Sequence, residues 1–279
     1  MKLPGDILKL PAEVTQDPRR LFRFFLKDSI RDLVDFGHSD QSRGVPPPPI
    51  QKPVPEGIRR VGLVPHEEIR QAGLAQMPIL EAIARRSSVR RYTDTPLSLA
   101  ELSLLLWATQ GVRHTMGETT VLRTVPSAGN RHALEAYVYV RRVESIPEGI
   151  YRYLPLGHEL VLEREADNER DVGNERQEGA LAGRVSEACR GQRFAGDSAA
   201  TFIWTTIPYR MEWRYGLAAH KVIAIDAGHV GQNLYLACQA IGAGTCAIAA
   251  YDQEAMDRLL GVDGEEEFTV YVAPVGKLA

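Results

Sequence analysis

The stretch 223–252, IAIDAGHVGQNLYLACQAIGAGTCAIAAYD, decides how the rest of the chain is read. Ile223, Ala227, Val230, Leu234, Ala237 and Ile241 recur at alternating steps of four and three, which puts them on one stripe of a long helix. Gly242 and Gly244 predict its end, because glycine takes the left-handed conformation of a tight exit without a Cβ penalty. Thr245 to Ala250 is short, apolar and small-sided, as suits a buried strand-like segment. Inside the helix Gly228 and Gly231 each cost about 1 kcal/mol relative to alanine, so a close backbone approach is expected there, tight helix packing being the simplest kind. Asp226, His229 and Asn233 share another face, as polar lining of a site or as hydrogen-bonding groups toward a neighbour. Cys238 and Cys246 read as small core residues.

Upstream, strands and helices alternate without a regular βαβ beat, which favours an α+β fold over a doubly wound sheet. ALEAYVYV (133–140) alternates Leu134, Ala136, Val138 and Val140 with Glu135, Tyr137 and Tyr139, the pattern of a strand. GIYRYLPLGHELVLE (149–163) reads as a hairpin turning at Pro155–Gly157, and AATFIWTTIP (199–208) and FTVYVAPVG (268–276) as further strands. PILEAIARR (78–86) is helical, and a second helix follows from a Ser98–Glu101 capping box to Gly111. HTMGETTVLRT (114–124) is polar and loop-like. Residues 163–197 are charged and poor in apolar side chains, with helical character from Ala180 to Cys189, and read as a mobile lobe. The compact body is expected from 76 to 279. Ahead of it, 1–75 holds an amphipathic helix, LFRFFLKDSIRDLVDF (21–36), and an extended, proline-rich segment, SDQSRGVPPPPIQKPVPEG (39–57). The helix packs on its own core or meets a partner or membrane surface; the prolines form a strap over the body or a ligand for a proline-binding module.

Composition narrows the function. Charged residues are 25% of the 279 and the formal net charge is −3, which encodes no pull toward nucleic acid or an anionic membrane. Three cysteines show neither metal spacing nor an even disulfide framework. No apolar run has the length of a membrane span, and the N-terminus lacks a signal-peptide core, so a soluble cytoplasmic protein is expected.

Two clusters carry chemistry. Arg85, Arg86, Ser87, Ser88, Arg90 and Arg91 combine guanidinium forks with hydroxyls at a helix-to-loop transition, a donor set that suits phosphate and equally a solvated basic helix end. PSAGNRH (126–132) makes a rigid bend able to approach a flat ligand, with Asn130 offering donors and an acceptor, or else an ordinary turn before a strand. Ser127 has no GxSxG elbow around it and is a poor hydrolytic nucleophile. GAGTCA (242–247) lacks the third glycine of a dinucleotide fingerprint, and no Walker loop, HExxH or Cys/His metal pattern is present.

In this order the pieces resemble the nitroreductase family of FMN-dependent oxidoreductases, and within it the branch of thiazole/oxazole-forming peptide dehydrogenases. The resemblance rests on RRSSVRRYTDTPLSLAELSLLLWATQGV (85–112), TVPSAGNRHALEAYVYV (124–140), EWRYG (212–216), the stretch from Asp226 to Asp252 and the terminal VYVAPVGK (270–277), about two hundred residues that leave the first seventy-odd unexplained. It implies a dimeric three-layer α+β sandwich whose central mixed or antiparallel sheet is flanked by helices, with FMN at the homodimer interface. Arg86, Ser87, Ser88 and Arg90 would hold the FMN phosphate and ribityl chain, with Lys277 adding charge. Pro126, Ser127, Ala128 and Asn130 would reach the flavin of the partner subunit. The turn Ala247, Ile248, Ala249, Ala250 would lie beside the ring, with an N–H of Ala249 or Ala250 aimed at N5.

The activity implied is ping-pong hydride transfer through flavin N5, from NAD(P)H to a small conjugated acceptor of the nitroaromatic or quinone kind. The azoline-oxidising members use a Lys-Tyr pair for proton removal. The matching positions here are Arg214 and Tyr215, and arginine stays protonated, so it cannot serve as a base. Tyr215 and Arg214 are the candidate catalytic pair, and Arg131 and His132 candidate substrate lining. Azoline oxidation on a peptide, and a flavin-binding module without turnover, remain the other readings.

Overall fold

The computed structural model describes residues 17–117, 119–166 and 180–278. Its sheet strands, in chain order, are β1 (Arg60–Gly62), β4 (Leu134–Val140), β5 (Gly149–Leu154), β6 (Glu159–Glu165), β7 (Ala200–Thr206), β8 (Ala243–Thr245) and β9 (Phe268–Lys277). They lie in the order β1-β6-β5-β4-β7-β9-β8, and every pairing is antiparallel. The centre is the β4–β7 pair, in full register from Leu134↔Thr206 to Val140↔Ala200. β2 (Val112–Met116) and β3 (Thr120–Arg123) make a separate hairpin. The sequence reads that region as a loop. Val121 and Arg123 are the buried residues of β3, so no apolar alternation marks it.

Helices cover both faces. On one face Leu134, Ala136, Val138, Val140, Phe202, Trp204, Ala273 and Val275 pack against α4 (Leu99–Gln110) and α8 (Ala219–Ala240). On the other, Tyr137, Tyr139, Ile150, Ile203 and Val272 pack against α5 (Ala180–Ala188) and α9 (Gln253–Leu260). The alternation along β4 therefore does not separate core from solvent: all seven of its residues are buried. The two tyrosines tolerate this because their hydroxyls donate to carboxylates, Tyr137 to Glu267 at 2.9 Å and Tyr139 to Glu148 at 2.6 Å. Of the charged stretch 163–197 expected to be mobile, 163–165 belong to β6, and burial of Leu181, Val185, Ala188, Cys189 and Ala195 makes α5 and the segment after it part of the second core, whereas 167–179 lies outside the described residues.

The capping box forms as expected: Glu101 N–H donates to Ser98 Oγ at 3.2 Å and Ser98 N–H to Glu101 Oε2 at 2.9 Å. The expected N-terminal amphipathic helix divides into α1 (Pro18–Leu26) and a 3-10 turn (Asp28–Leu33), because Lys27 between them is extended. The proline-rich segment is a strap held by its carbonyls. Arg123 donates to Ile50 O at 2.9 Å, Arg152 to Lys52 O at 3.1 Å and Pro53 O at 3.0 Å, and Trp213 Nε1 to Val45 O at 2.9 Å. Beyond it β1 joins the main sheet, earlier in the chain than the expected start of the compact body. The short helices α2 (His66–Gln71) and α3 (Ile79–Arg85) lead into the basic cluster.

Candidate functional site

The basic cluster leaves α3 at Arg86 and runs along the edge strand β8. Ser88 bridges to Thr245, and Val89 N–H donates to Thr245 O at 2.9 Å. Gly244 permits this approach: a Cβ there would stand 2.9 Å from Val89 Cβ and 2.8 Å from Leu278 Cδ2. Arg85 pairs with Glu81. The guanidinium groups of Arg86, Arg90 and Arg91 enter no ion pair among the described residues, and Ser87, Ser88 and Arg90 are exposed. Lys277 is different. Its ammonium donates to Glu101 Oε1 at 2.6 Å and Ile241 O at 2.5 Å, so its charge is compensated and it pins the end of β9 to α4 and α8. The free cations of this corner are the arginines.

Tyr235, on α8, connects this corner to the segment after β8. Its hydroxyl shares a hydrogen bond with Ser88 Oγ at 3.0 Å and accepts from Ala247 N–H at 2.9 Å, while Arg86 lies over its ring at 5.4 Å. Ile248 then pairs with Val272 through both backbone groups, at 2.7 and 3.2 Å. Ala249 and Ala250 follow, exposed, and neither N–H has a hydrogen-bond partner among the described residues. Two free backbone donors thus sit at one end of a hydrogen-bonded frame with uncompensated guanidiniums at the other. Sequence reasoning gave Tyr235 no role, because it stands off the apolar stripe of the helix although it lies within the stretch from Asp226 to Asp252.

Ala249 also lines an open cavity of about 560 Å³ against Ile223, Ala227, Gly228 and Tyr271. The two helical glycines are explained separately. Gly231 meets Tyr271, whose Cε1 would be 2.7 Å from a Cβ, while Gly228 has nothing within 4 Å and faces the cavity. Asn233 donates to Ala108 O at 2.8 Å, a helix-to-helix contact.

The bend 126–132 is shaped by positive φ at Gly129 (58°), Asn130 (54°) and His132 (45°). Ser127 Oγ accepts from His132 N–H at 3.0 Å. Asp226 on α8 is buried, and burial raises its carboxyl above the usual range, opposed by hydrogen bonding toward Ser127 and Ala128. Gly129 lies against the end of α7 (Tyr209–Tyr215): a Cβ there would be 2.8 Å from Tyr215 Oη and 3.1 Å from Arg214 Cδ. The structure therefore joins the bend to the Arg214–Tyr215 pair within one chain, with the Arg214 guanidinium 5.5 Å over the Tyr215 ring. The Tyr215 hydroxyl has no hydrogen-bond partner among the described residues.

Arg131 and His132 do not have the open position expected of substrate lining. Arg131 is 7% exposed, stacks 4.7 Å over Trp213 and donates to Arg210 O at 3.1 Å. Burial, then Arg214 and Arg210, lowers its basicity. His132 is 5% exposed and burial, reinforced by Arg123, pulls it down to about 3, so it is neutral at working pH. Both side chains are buried, on a bend whose backbone takes positive φ at Gly129, Asn130 and His132.

No group of three or more potential metal-ligating side chains occurs among the described residues, and none of their helices is long and apolar enough to cross a membrane. Known proteins with which the chain can be compared agree with one another. The model of the nitroreductase family matches residues 83–277. A Methanocaldococcus jannaschii protein provisionally named a nitroreductase is 32% identical over 210 residues, 75% of this chain and 96% of that one. A crystal structure from Anabaena variabilis, provisionally named a nitroreductase, superposes with a TM-score of 0.59 at 20% identity; the match covers 80% of this chain but 42% of that longer one. A chain of the Escherichia coli microcin synthetase McbBCD complex with truncated pro-MccB17 bound gives 0.52 at 18% identity, covering 78% and 84%. At those identities the two structures speak for the fold, while the family model and the archaeal relative carry the assignment. This chain belongs to the nitroreductase family of oxidoreductases.

Proposed function

We propose that the chain is an FMN-dependent oxidoreductase that uses NAD(P)H to reduce small conjugated acceptors of the quinone or nitroaromatic kind. The observation that carries the reading is the frame Ser88–Tyr235–Ala247, with free guanidiniums at one end and the two unbonded N–H groups of Ala249 and Ala250 at the other. That donor set fits a molecule with a phosphate tail and a flat heteroaromatic head. Arg86 and Arg90 offer charge-assisted bonds to phosphate oxygens, and Ser87 and Ser88 offer hydroxyl donors beside them. The exposed alanine N–H groups offer preorganised dipoles to a ring edge where charge develops. The archaeal relative supports the same activity class.

When bound, FMN supplies the two-electron relay that lets donor and acceptor use one cavity in turn. The chain's own residues position and solvate. The bonds from Tyr235 and Val272 fix the spacing between the arginine corner and Ala249, so the N–H groups need no reorganisation during reaction. Lys277, compensated by Glu101, works as a strut for that edge rather than as a phosphate ligand. The Tyr215 hydroxyl, without a hydrogen-bond partner among the described residues and beside Gly129, would exchange a proton with the acceptor. Ile79, Leu80 and Ile83 on α3 and Ile225 on α8 expose apolar surface, which supports a homodimer in which the 126–130 bend serves the neighbouring subunit's flavin.

Azoline oxidation is the second reading, favoured by the free Tyr215 hydroxyl and the likeness in fold to the synthetase chain. Arg214 weighs against it, because a guanidinium cannot take the proton that a lysine takes. Anaerobic addition of NADH or NADPH to flavin-loaded protein separates the readings. Rapid bleaching followed by reoxidation with a quinone is expected. Flavin that neither nicotinamide reduces would favour azoline oxidation, and flavin that no acceptor reoxidises would favour a module without turnover.

A further inference from the structure

The helix α1 lies ahead of the part of the chain that the family accounts for, and none of its residues enters the site above. Taken as one run, 21–36 carries acids and bases together; the break at Lys27 separates them. α1 itself contains Arg19, Arg20 and Arg23 and no acid, with Lys27 as its C-cap. Asp28, Asp32 and Asp35 all fall after the break. There Asp28 is met by Arg31 at 3.9 Å and Asp35 by His38 at 2.6 Å. Among the cations, Arg20 lies 3.9 Å from the N-cap Asp17, whereas Arg19, Arg23 and Lys27 have no acidic partner among the described residues.

The helix turns one side to the protein and the other to solvent. Phe24 and Phe25 are half-buried and share a wall with Leu33 and Leu217. Phe22 and Leu26, one turn apart, are 73% and 67% exposed. Arg19 stands three residues before Phe22 and Arg23 three before Leu26, and Lys27 follows one turn after Arg23. Exposed cations therefore border the exposed apolar pair along its whole length. That is the make-up of a helix lying in a membrane interface, with its apolar side at the acyl boundary and its cations among the headgroups.

We propose that α1 docks the protein on an anionic phospholipid bilayer, with Phe22 and Leu26 at the acyl boundary and Arg19, Arg23 and Lys27 against lipid phosphates. Charge complementarity selects this partner. A second copy of the chain meeting the same face would bring the unpaired cations onto their own kind. A nucleic acid would satisfy the cations and offer nothing to Leu26. The net charge of −3 on the whole chain is no obstacle, because salt limits its reach to about 8 Å while the cations of α1 touch the surface directly. A helix of nine residues with one apolar pair gives weak, reversible attachment. None of this depends on the function proposed above.

The test is co-sedimentation of the full chain with vesicles of phosphatidylcholine alone, and with vesicles that also carry about 30 mol% phosphatidylglycerol. At about 0.1 M salt the anionic vesicles should bind roughly tenfold more tightly or better, and about 0.5 M salt should remove most of that difference. Each cation near the surface is worth roughly fivefold, so Arg19→Gln/Arg23→Gln/Lys27→Gln should weaken binding by roughly a hundredfold. Phe22→Ser/Leu26→Ser should weaken it by roughly tenfold at the lower salt, because the apolar pair no longer enters the acyl boundary. All five side chains are exposed, so both variants should keep the wild-type circular dichroism and melt.

Wild-type binding that ignores phosphatidylglycerol, or that neither variant changes, would overturn the inference whatever flavin chemistry the protein shows. Binding lost in the cation variant but kept in Phe22→Ser/Leu26→Ser would reduce the contact to unspecific attraction and overturn it too. If the apolar variant turns a dimer into a monomer in sedimentation and leaves vesicle binding intact, the face is a subunit contact and the inference falls. Vesicle binding as expected in a protein that takes up no flavin would uphold it and remove the function proposed above.

Discussion

Replacing Tyr235 by phenylalanine would sever the link between the arginine corner and the alanine turn while keeping the ring under Arg86. Two hydrogen bonds are lost. Ser88 is exposed, so its hydroxyl turns to water at little cost. Ala247 N–H is partly buried, and leaving it without an acceptor costs about 1 kcal/mol, the low end of the range for an unsatisfied buried donor. A domain of this size should lose about 3 °C of Tm for that change. The same energy is at stake in ligand binding, because the freed turn must be re-ordered around the flavin, which weakens FMN about fivefold. Thermal melts of the flavin-free protein and fluorescence titration with FMN read the two effects independently. A fall in Tm with an unchanged Kd for FMN would show that Tyr235 only stabilises α8. It would refute the argument that the frame sets the distance between phosphate donors and ring donors.

Other expectations follow from the same contacts. The double variant Arg86→Ala/Arg90→Ala removes two charge-assisted contacts of about 1.5–3 kcal/mol each, so FMN binding should weaken by about two or more orders of magnitude in the same titration, with little change in the melt. Gly244→Ala pushes a methyl into Val89 and Leu278 and should destabilise the flavin-free protein by about 1–3 kcal/mol, read by urea unfolding. Glu135→Gln leaves the buried Arg210 guanidinium, now paired with Glu135 at 2.5 Å, without its counter-charge, at about 3–5 kcal/mol. His220 is held above its ordinary value of about 6.5 by Glu212, so the pair's stabilisation is complete below that pH and fades as pH rises through the folded value. Unfolding of wild type and Glu212→Gln should therefore differ most in mild acid and converge on the alkaline side; a gap that widens with pH would contradict this.

The sequence was legible where side chains repeat with the period of an element. The stripe from Ile223 to Leu234 lies on the core side of α8 as its spacing predicts, although Cys238 rather than Ala237 is the buried residue of the last turn. The hairpin around Pro155–Gly157 and the capping box at Ser98 were readable for the same reason. What was not legible depends on backbone groups or on partners distant in the chain. The strap from Val45 to Pro53 is held through carbonyls, which any residue carries, and the arginines that grip it lie about seventy to a hundred residues away. Glu135 looked solvent-facing by alternation, but its carboxylate is closed in by Arg210 and by Lys52 N–H at 3.1 Å. At the site, the arginine corner and the alanine turn were visible as motifs. Tyr235 was not, and the burial of Arg131 and His132 depends on contacts with residues distant in the chain, such as Arg210 and Trp213 for Arg131.

The most direct test is the identity and behaviour of the chromophore. Protein purified under mild conditions should be yellow and release FMN on denaturation, and anaerobic NADH or NADPH should bleach it until a quinone is added. A colourless preparation that takes up no FMN on reconstitution would contradict the account at its root.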